Sequence, residues 1–276
     1  MGSDENESRV ARAMDSPGDE IEAETTHASG STRDSKKAVH ASDSTCDRKK
    51  TVCASDSTCN KKKAVRAQVL KRRDAMSEDT RREKCERICL ELSRMLDDAI
   101  EQHGKSAHVP VIAAYSAMHS EVNVGAFLQI AFERRCAVAL PCMVRATGDT
   151  PPSTPTPAIK TSPTRTQMQM RLVSSDAFNS ITDTFINHPL KTYSSDDLQL
   201  SDFPLCNPQS IDFAVVPLVA FDDARNRLGY GGGNYDCFLS LLRSDAVVVG
   251  VAFSEQHVDA IPLEPHDLPL PTIIAF

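Results

Sequence analysis

The chain has 276 residues, enough for one or two domains, and it is mildly acidic, with 31 Lys and Arg against 38 Asp and Glu. That balance gives no case for nucleic acid as the main partner, no apolar run approaches the roughly 18 residues of a membrane helix, and the acidic start Met1-Gly2-Ser3-Asp4-Glu5-Asn6 lacks the core of a secretory signal. Nine cysteines occur without a C-x-x-C pair, so neither a zinc ribbon nor a dithiol motif is supported; reduced thiols in a cytoplasmic protein are expected, with a mitochondrial setting left open.

Residues 1 to about 61 are rich in Ser, Asp, Glu, Thr and Lys and nearly free of large apolar side chains. Such a segment cannot bury enough surface to offset chain entropy and is expected to be a disordered tail. It holds a repeat: Lys36-Lys37-Ala38-Val39-His40-Ala41-Ser42-Asp43-Ser44-Thr45-Cys46 recurs from Lys49 to Cys59, and a third copy begins at Lys62-Lys63-Ala64-Val65. The copies are too few and too polar to stack as a solenoid.

Residues 62 to 103 predict a helix or helix pair, in which Cys85, Ile88, Cys89, Leu92, Met95, Leu96 and Ile100 keep a helical period and Gly104 is a stop. Val109 to Tyr115 reads as a short buried strand. Ser120 is a candidate N-cap for a helix whose buried face carries Val122, Ala126, Phe127, Ile130 and Ala131. Ala137 to Leu140 predicts a second strand, ended by Pro141, which completes a strand–helix–strand unit. Glu121 is equally a first-turn helix acid and a site carboxylate, since strand C-terminal ends are where α/β sheets gather their sites. The Pro/Thr/Ser-rich stretch from about 147 to 166 predicts an irregular insert.

The stretch that organises the chain lies further on. Ile211 to Asp222 is nearly continuous in apolar residues and reads as a strand buried on both faces. A polar hairpin-like segment with Asp222, Asp223, Arg225 and Arg227 follows. Gly229, Gly231, Gly232 and Gly233 then lead into Tyr235, Phe238, Leu239 and Leu242, spaced for one face of a helix. Strand, glycine loop and helix together offer main-chain N–H groups to an anion. The loop matches neither the Walker pattern nor G-x-G-x-x-G. Ala246 to Phe253 predicts a further strand. About five buried strands alternating with helices give an α/β domain with a mainly parallel sheet.

Arg227-Leu228-Gly229-Tyr230-Gly231-Gly232-Gly233-Asn234-Tyr235-Asp236, after the strand ending Val219-Ala220-Phe221-Asp222, resembles the signature of the 5-formyltetrahydrofolate cyclo-ligase, or methenyltetrahydrofolate synthetase, family. Further likenesses follow in order: the basic opening helix, Tyr115 to Glu121-Val122, the return strand Met168-Gln169-Met170-Arg171-Leu172, and Gln256 with Ile261-Pro262-Leu263-Glu264-Pro265-His266-Asp267. The resemblance covers roughly residues 62 to 276 and implies a three-layer αβα fold. It implies ATP-dependent closure of 5-formyltetrahydrofolate to 5,10-methenyltetrahydrofolate. Carried over residue by residue, it implies nucleotide contact from Lys62, Arg66, Arg227, Leu228, Gly229, Tyr230, Gly231, Gly232, Gly233 and Tyr235. Folate contact would come from Ser116, Glu121, Tyr230 and Asn234, and Mg²⁺ would be held at Asp236 and Asp267. No side-chain nucleophile is implied. The partners would be ATP and a reduced folate, with no nucleic acid, no membrane and a monomeric chain.

The chain departs from the family at several points. Asn234 stands where a tyrosine is usual, Cys237 where many members have arginine, and His188-Pro189 where many have Glu-Pro; Pro271 and Ala275 alter the last strand. Either Met168 or Met170 matches the methionine that packs near the pterin. A member that binds nucleotide or folate without turnover is the alternative reading. A sugar-phosphate isomerase or acyl transferase on a similar scaffold would need an acid pair or a nucleophilic glutamate that no motif supplies.

Overall fold

The computed structural model describes residues 56–102, 108–145, 166–180, 183–264 and 267–276. The expected tail up to residue 55, the stop at Gly104 and nearly all of the Pro/Thr-rich insert lie outside the described residues. Residues 56–61, assigned from sequence to the tail, are helical. The chain runs α1 (Asp56–Asp74), α2 (Glu78–Gln102), β1 (Val111–Ala113), α3 (Gly125–Glu133), β2 (Ala137–Arg145), β3 (Thr166–Val173), α4 (Ser175–Asn179), β4 (Thr192–Tyr193), β5 (Phe213–Pro217), β6 (Ala220–Phe221), β7 (Arg227–Leu228), α5 (Asn234–Leu239), β8 (Val247–Ala252) and β9 (Thr272–Ala275).

Among the described residues the main sheet has seven strands in the order β3-β2-β1-β5-β8-β9, with β4 also paired to β2. Every pairing in it is parallel except β2 with β3. The strand period of two sorts side chains between the faces. Ile112, Val138, Leu140, Phe213, Val215, Val249 and Val251 meet α2 and α3 on one face. Val111, Ala113, Ala139 and Ala214 meet Phe238 of α5 on the other. The predicted αβα layering is present, though its second layer is thin because α5 is only six residues long. No helix of the described residues is long and apolar enough to cross a membrane.

The helical period predicted for residues 85–100 is that of α2, whose Cys85, Ile88, Cys89, Leu92, Leu96 and Ala99 are buried. Ser77 starts it by accepting the Thr80 N–H at 3.2 Å. Ser120 is not an N-cap: α3 begins at Gly125, with Val124 before it and no side-chain cap.

Pro141 does not end its strand. Ala137 N–H donates to Pro110 O and Ala139 O accepts from Ala114 N–H, so odd-numbered positions of β2 point toward β1. At 141 that side is vacant of a strand partner, because β1 pairs only as far as Ala139 and β4 first pairs at Met143. A residue without an N–H therefore breaks no ladder bond there.

The apolar run read as one strand is divided. It leaves the main sheet after Pro217, and Ala220–Phe221 pairs instead with Arg227–Leu228 in a two-stranded ribbon. Gln256, 1 % exposed, occupies the break. Its side-chain amide donates to Leu218 O at 2.7 Å and Val219 O at 3.1 Å, while its carbonyl oxygen accepts the Phe253 N–H at 2.8 Å. The carbonyls released by the bend are thus satisfied from within the core. The bend carries the ribbon and the glycine loop beyond the sheet, where α1 packs on them through Val65, Val69 and Leu70.

Candidate active site

The glycine loop is shaped by backbone conformations that a Cβ disfavours. Gly231 has φ +100° and Gly233, the residue before α5, has φ +68°. Arg66 crosses the loop: its Nε donates to Gly229 O at 2.7 Å, and a Cβ on Gly231 would lie 3.3 Å from its guanidinium carbon. One turn earlier on α1, Lys62 donates to Glu264 at 2.7 Å and to Asp267 at 2.5 Å. Burial works against the Lys62 charge, but the hydrogen bonds to Asp267 and Glu264 outweigh it and hold the ammonium above its ordinary pKa. On the far side of the loop, Arg227 donates Nη2 to Asp236 at 2.5 Å, and its Nε is buried with no partner among the described residues.

Leu228 is buried with Val69 and Ala220 and accepts the Val219 N–H on its carbonyl at 2.7 Å, so its side chain serves the core. The helix predicted to reach Leu242 ends at Leu239.

A second group of residues forms after β1. The chain turns tightly, with Glu121 N–H donating to Met118 O at 3.0 Å and Met118 N–H donating to Glu121 Oε2 at 2.8 Å. His119 sits in this turn at φ +50°. Glu121 is 5 % exposed, and its Oε1 is buried without a hydrogen-bond partner among the described residues. Burial raises the Glu121 pKa; the Met118 N–H, the nearby Tyr230 hydroxyl and the Arg73 charge pull the other way without cancelling it. Tyr230 is close enough to steady that charge, yet it completes no well-formed hydrogen bond to Oε1.

Aromatic groups surround this carboxylate. Burial pushes the Tyr230 phenol up to about 12, against the donated hydrogen bond from Arg73. Burial first, and then the Glu121 charge, raise the Tyr235 phenol further. Tyr235 packs edge-on against Phe238 at 6.2 Å and is near enough to Glu121 to feel its charge. Asn234 brings its amide to 3.9 Å from Met143 Sδ, and Met143 lies opposite Met168 across the strand pair. Met170 is 4 % exposed and belongs to the core. Met168 is therefore the methionine nearer Asn234. Ser116 is half-buried in the loop after β1.

The outer side of the Met118 turn borders an open cavity of about 590 Å³, lined among others by His119, Asp183, His188 and Lys191. His188 has an acid partner in Asp183 at 3.3 Å, but both are exposed at the rim.

Arg73 joins the two groups and was not singled out from sequence. It lies in the last turn of α1, 2 % exposed, with Nε donating to Ser120 Oγ at 2.9 Å and Nη2 donating to the Tyr230 hydroxyl at 2.8 Å. Ser120 passes its own hydroxyl hydrogen to Asp74. The signal was legible: Lys62, Arg66 and Arg73 are spaced by four and seven residues, which sets all three on one face of a helix.

The sequence compares with known proteins as follows. The family model described as 5-formyltetrahydrofolate cyclo-ligase family matches residues 58–275. A 5-formyltetrahydrofolate cyclo-ligase of Mycoplasma genitalium is 38 % identical over 68 residues, 25 % of this chain and 41 % of that protein. One of Escherichia coli K12 is 42 % identical over 65 residues, 23 % of this chain and 36 % of that protein. The aligned segments thus span about two fifths or less of those relatives. Among solved structures, a 5,10-methenyltetrahydrofolate synthetase of Mycoplasma pneumoniae superposes with a TM-score of 0.50 at 22 % identity, covering 77 % of this chain and 97 % of that one. One of Aquifex aeolicus gives 0.53 at 23 % identity, covering 78 % and 89 %. Both share the fold.

Proposed function

The chain belongs to the 5-formyltetrahydrofolate cyclo-ligase family, and on that premise we propose that it catalyses the ATP-dependent cyclisation of 5-formyltetrahydrofolate to 5,10-methenyltetrahydrofolate, releasing ADP and phosphate. The formyl oxygen attacks the γ-phosphorus, ADP departs, and the oxygen becomes an imidate phosphate. N10 of the folate then attacks the activated carbon, and the phosphate leaves as the ring closes. Transfer of this kind rests on alignment and charge neutralisation and needs no side-chain nucleophile.

The observation that carries the reading is the buried Oε1 of Glu121, unpartnered among the described residues, beside a glycine loop ringed by cations. An orphan carboxylate oxygen in a dry pocket is costly unless a ligand supplies donors, and a reduced pterin carries N–H donors on one edge. Under this reading Glu121 orients the pterin, Ser116, Asn234, Tyr230 and Tyr235 line its pocket, and Lys62, Arg66, Arg227 and the main chain of residues 228–233 take the polyphosphate.

The donor set suits Mg²⁺ only in part. Among the described residues no three His, Cys, Asp or Glu side chains converge as a self-sufficient ion site. Mg²⁺ keeps several waters and needs only one or two carboxylates beside phosphate oxygens. Asp236 and Asp267 would supply them, and the ion so held would neutralise charge on the transferring phosphoryl group.

The test is the ATP-dependent appearance of methenyl absorbance with purified protein, 5-formyltetrahydrofolate and Mg²⁺. Product formation supports the reading. Binding of either ligand with no product would favour a non-catalytic member, and binding of neither would refute the proposal.

A further inference from the structure

We infer that Arg73 couples the two halves of the site, so that nucleotide and reduced folate each tighten the other's binding; the inference rests on the functional reading above. The geometry behind it is a short chain of contacts. Tyr230 lies within the glycine loop, between Gly229 and Gly231. The residue is 47 % exposed, and its hydroxyl is fixed by Arg73 Nη2 at 2.8 Å. The same guanidinium donates Nε to Ser120 at 2.9 Å, and Ser120 immediately precedes Glu121. A ligand that orders the glycine loop therefore orders Tyr230, then Arg73, then the turn that aims Glu121.

A purely structural role accounts poorly for this residue. Arg73 is among the largest fully buried side chains, and its hydrogen-bond partners here are two neutral hydroxyls. A buried guanidinium carries a desolvation cost that an apolar side chain of similar volume avoids. What the guanidinium adds is a rigid fork that grips two loops at once, together with a positive charge facing the Glu121 carboxylate. Lysine can reach one hydroxyl as a point charge but cannot span both in a fixed geometry.

The expected consequence is reciprocal. When one ligand has ordered the shared brace, the second meets less residual freedom to quench, and linkage makes the two enhancement factors equal.

The experiment is isothermal titration calorimetry on the full chain. A non-hydrolysable ATP analogue with Mg²⁺, and 5-formyltetrahydrofolate, are each titrated alone and against the saturating other. In the parent protein each ligand is expected to raise the other's affinity by one common factor, about 5- to 150-fold. Arg73→Lys and Tyr230→Phe are both expected to bring that factor close to one. Tyr230→Phe removes a hydroxyl from a half-exposed residue and no packing, so it keeps the test sound if a variant at Arg73 folds poorly. Because coupling is a ratio of affinities, any direct loss of affinity in a variant cancels. Parent protein that binds both ligands without coupling, or variants that retain the parent's factor, would overturn the inference and leave the functional reading standing. Parent protein that binds neither ligand overturns both.

Discussion

Glu121→Gln is expected to strengthen the fold and weaken the hold on the pterin. Glu121 is 5 % exposed, and folding raises its pKa even after the help of Met118, Tyr230 and Arg73. A carboxyl whose folded pKa lies above its unfolded value keeps its proton longer in the native state. Stability is therefore lost as pH rises from the unfolded pKa through the folded one, and the full penalty stands once pH has passed the folded pKa. Glutamine carries no charge and escapes it, while its carbonyl oxygen can still accept the Met118 N–H. Each 1 kcal/mol so gained would raise the melting midpoint of a domain this size by about 2–4 °C. The gain should vanish at about pH 4 and below, where the carboxyl is protonated folded and unfolded alike. Affinity for 5-formyltetrahydrofolate should meanwhile fall about ten- to a hundredfold, the worth of a hydrogen bond to a charged group at about 1.5–3 kcal/mol. Thermal melts across pH 4 to 8, paired with calorimetric titration of the folate, read both effects. A variant less stable than the parent at neutral pH, or a gain independent of pH, would refute the electrostatic argument. Unchanged folate affinity would remove Glu121 from the site.

Gly231→Ala forces an L residue to φ +100° and brings its Cβ within 3.3 Å of the Arg66 guanidinium carbon. A cost of roughly 1–2 kcal/mol to restore that loop conformation should weaken ATP about five- to thirtyfold, as read by titration. Lys62→Ala should raise the KM for ATP by about tenfold or more, since it removes a charged donor and leaves Glu264 and Asp267 facing the polyphosphate; initial-rate kinetics decide it. Gly250→Ala tests the fold alone: a Cβ there would meet Leu270 at 2.5 Å and Leu218 at 3.0 Å, and overpacking of about 1–3 kcal/mol should lower the melting midpoint with little change in either KM.

Much of this architecture was legible where local chemistry decides structure. The helical period of Cys85 to Ile100, the β8 run and the glycine loop each follow from side-chain spacing or from backbone freedom, and each lies where it was expected. The misreadings arose where a distant partner decides. Pro141 ends a strand by local rule, yet continues one here because its missing N–H points at a gap between β1 and β4. Ile211 to Asp222 reads as one strand, yet bends after Pro217 because Gln256, 38 residues beyond Leu218, caps the freed carbonyls. Ser120 has the chemistry of a helix cap and is used instead between Arg73 and Asp74. The site shows the same division. Lys62 and Arg66 follow from a motif, and helical spacing sets Arg73 on their face, but its partner Tyr230 lies 157 residues on, which no local pattern names.

The ion pairs about the glycine loop explain how so many cations can be kept in place. Lys62 has 8 % and Arg227 4 % of its side chain exposed, so each would be expensive to hold alone. Each is paired with an acid close to it in sequence or space: Lys62 with Glu264 and Asp267, Arg227 with Asp236. Under the proposed function these acids have two successive roles. Without nucleotide they balance the buried cations. With it, polyphosphate oxygens replace them on Lys62 and Arg227, and the displaced carboxylates are left beside a ligand that brings its own divalent ion. The exchange trades one set of charge-assisted contacts for another and leaves no charge stranded, which keeps its net cost small. The Nε of Arg227, without a partner among the described residues, tilts the balance toward the bound state, because a phosphate oxygen would satisfy that donor. Replacing Asp236 with asparagine would then weaken the pairing that steadies Arg227, and that loss should appear in the melting midpoint even before ATP is added.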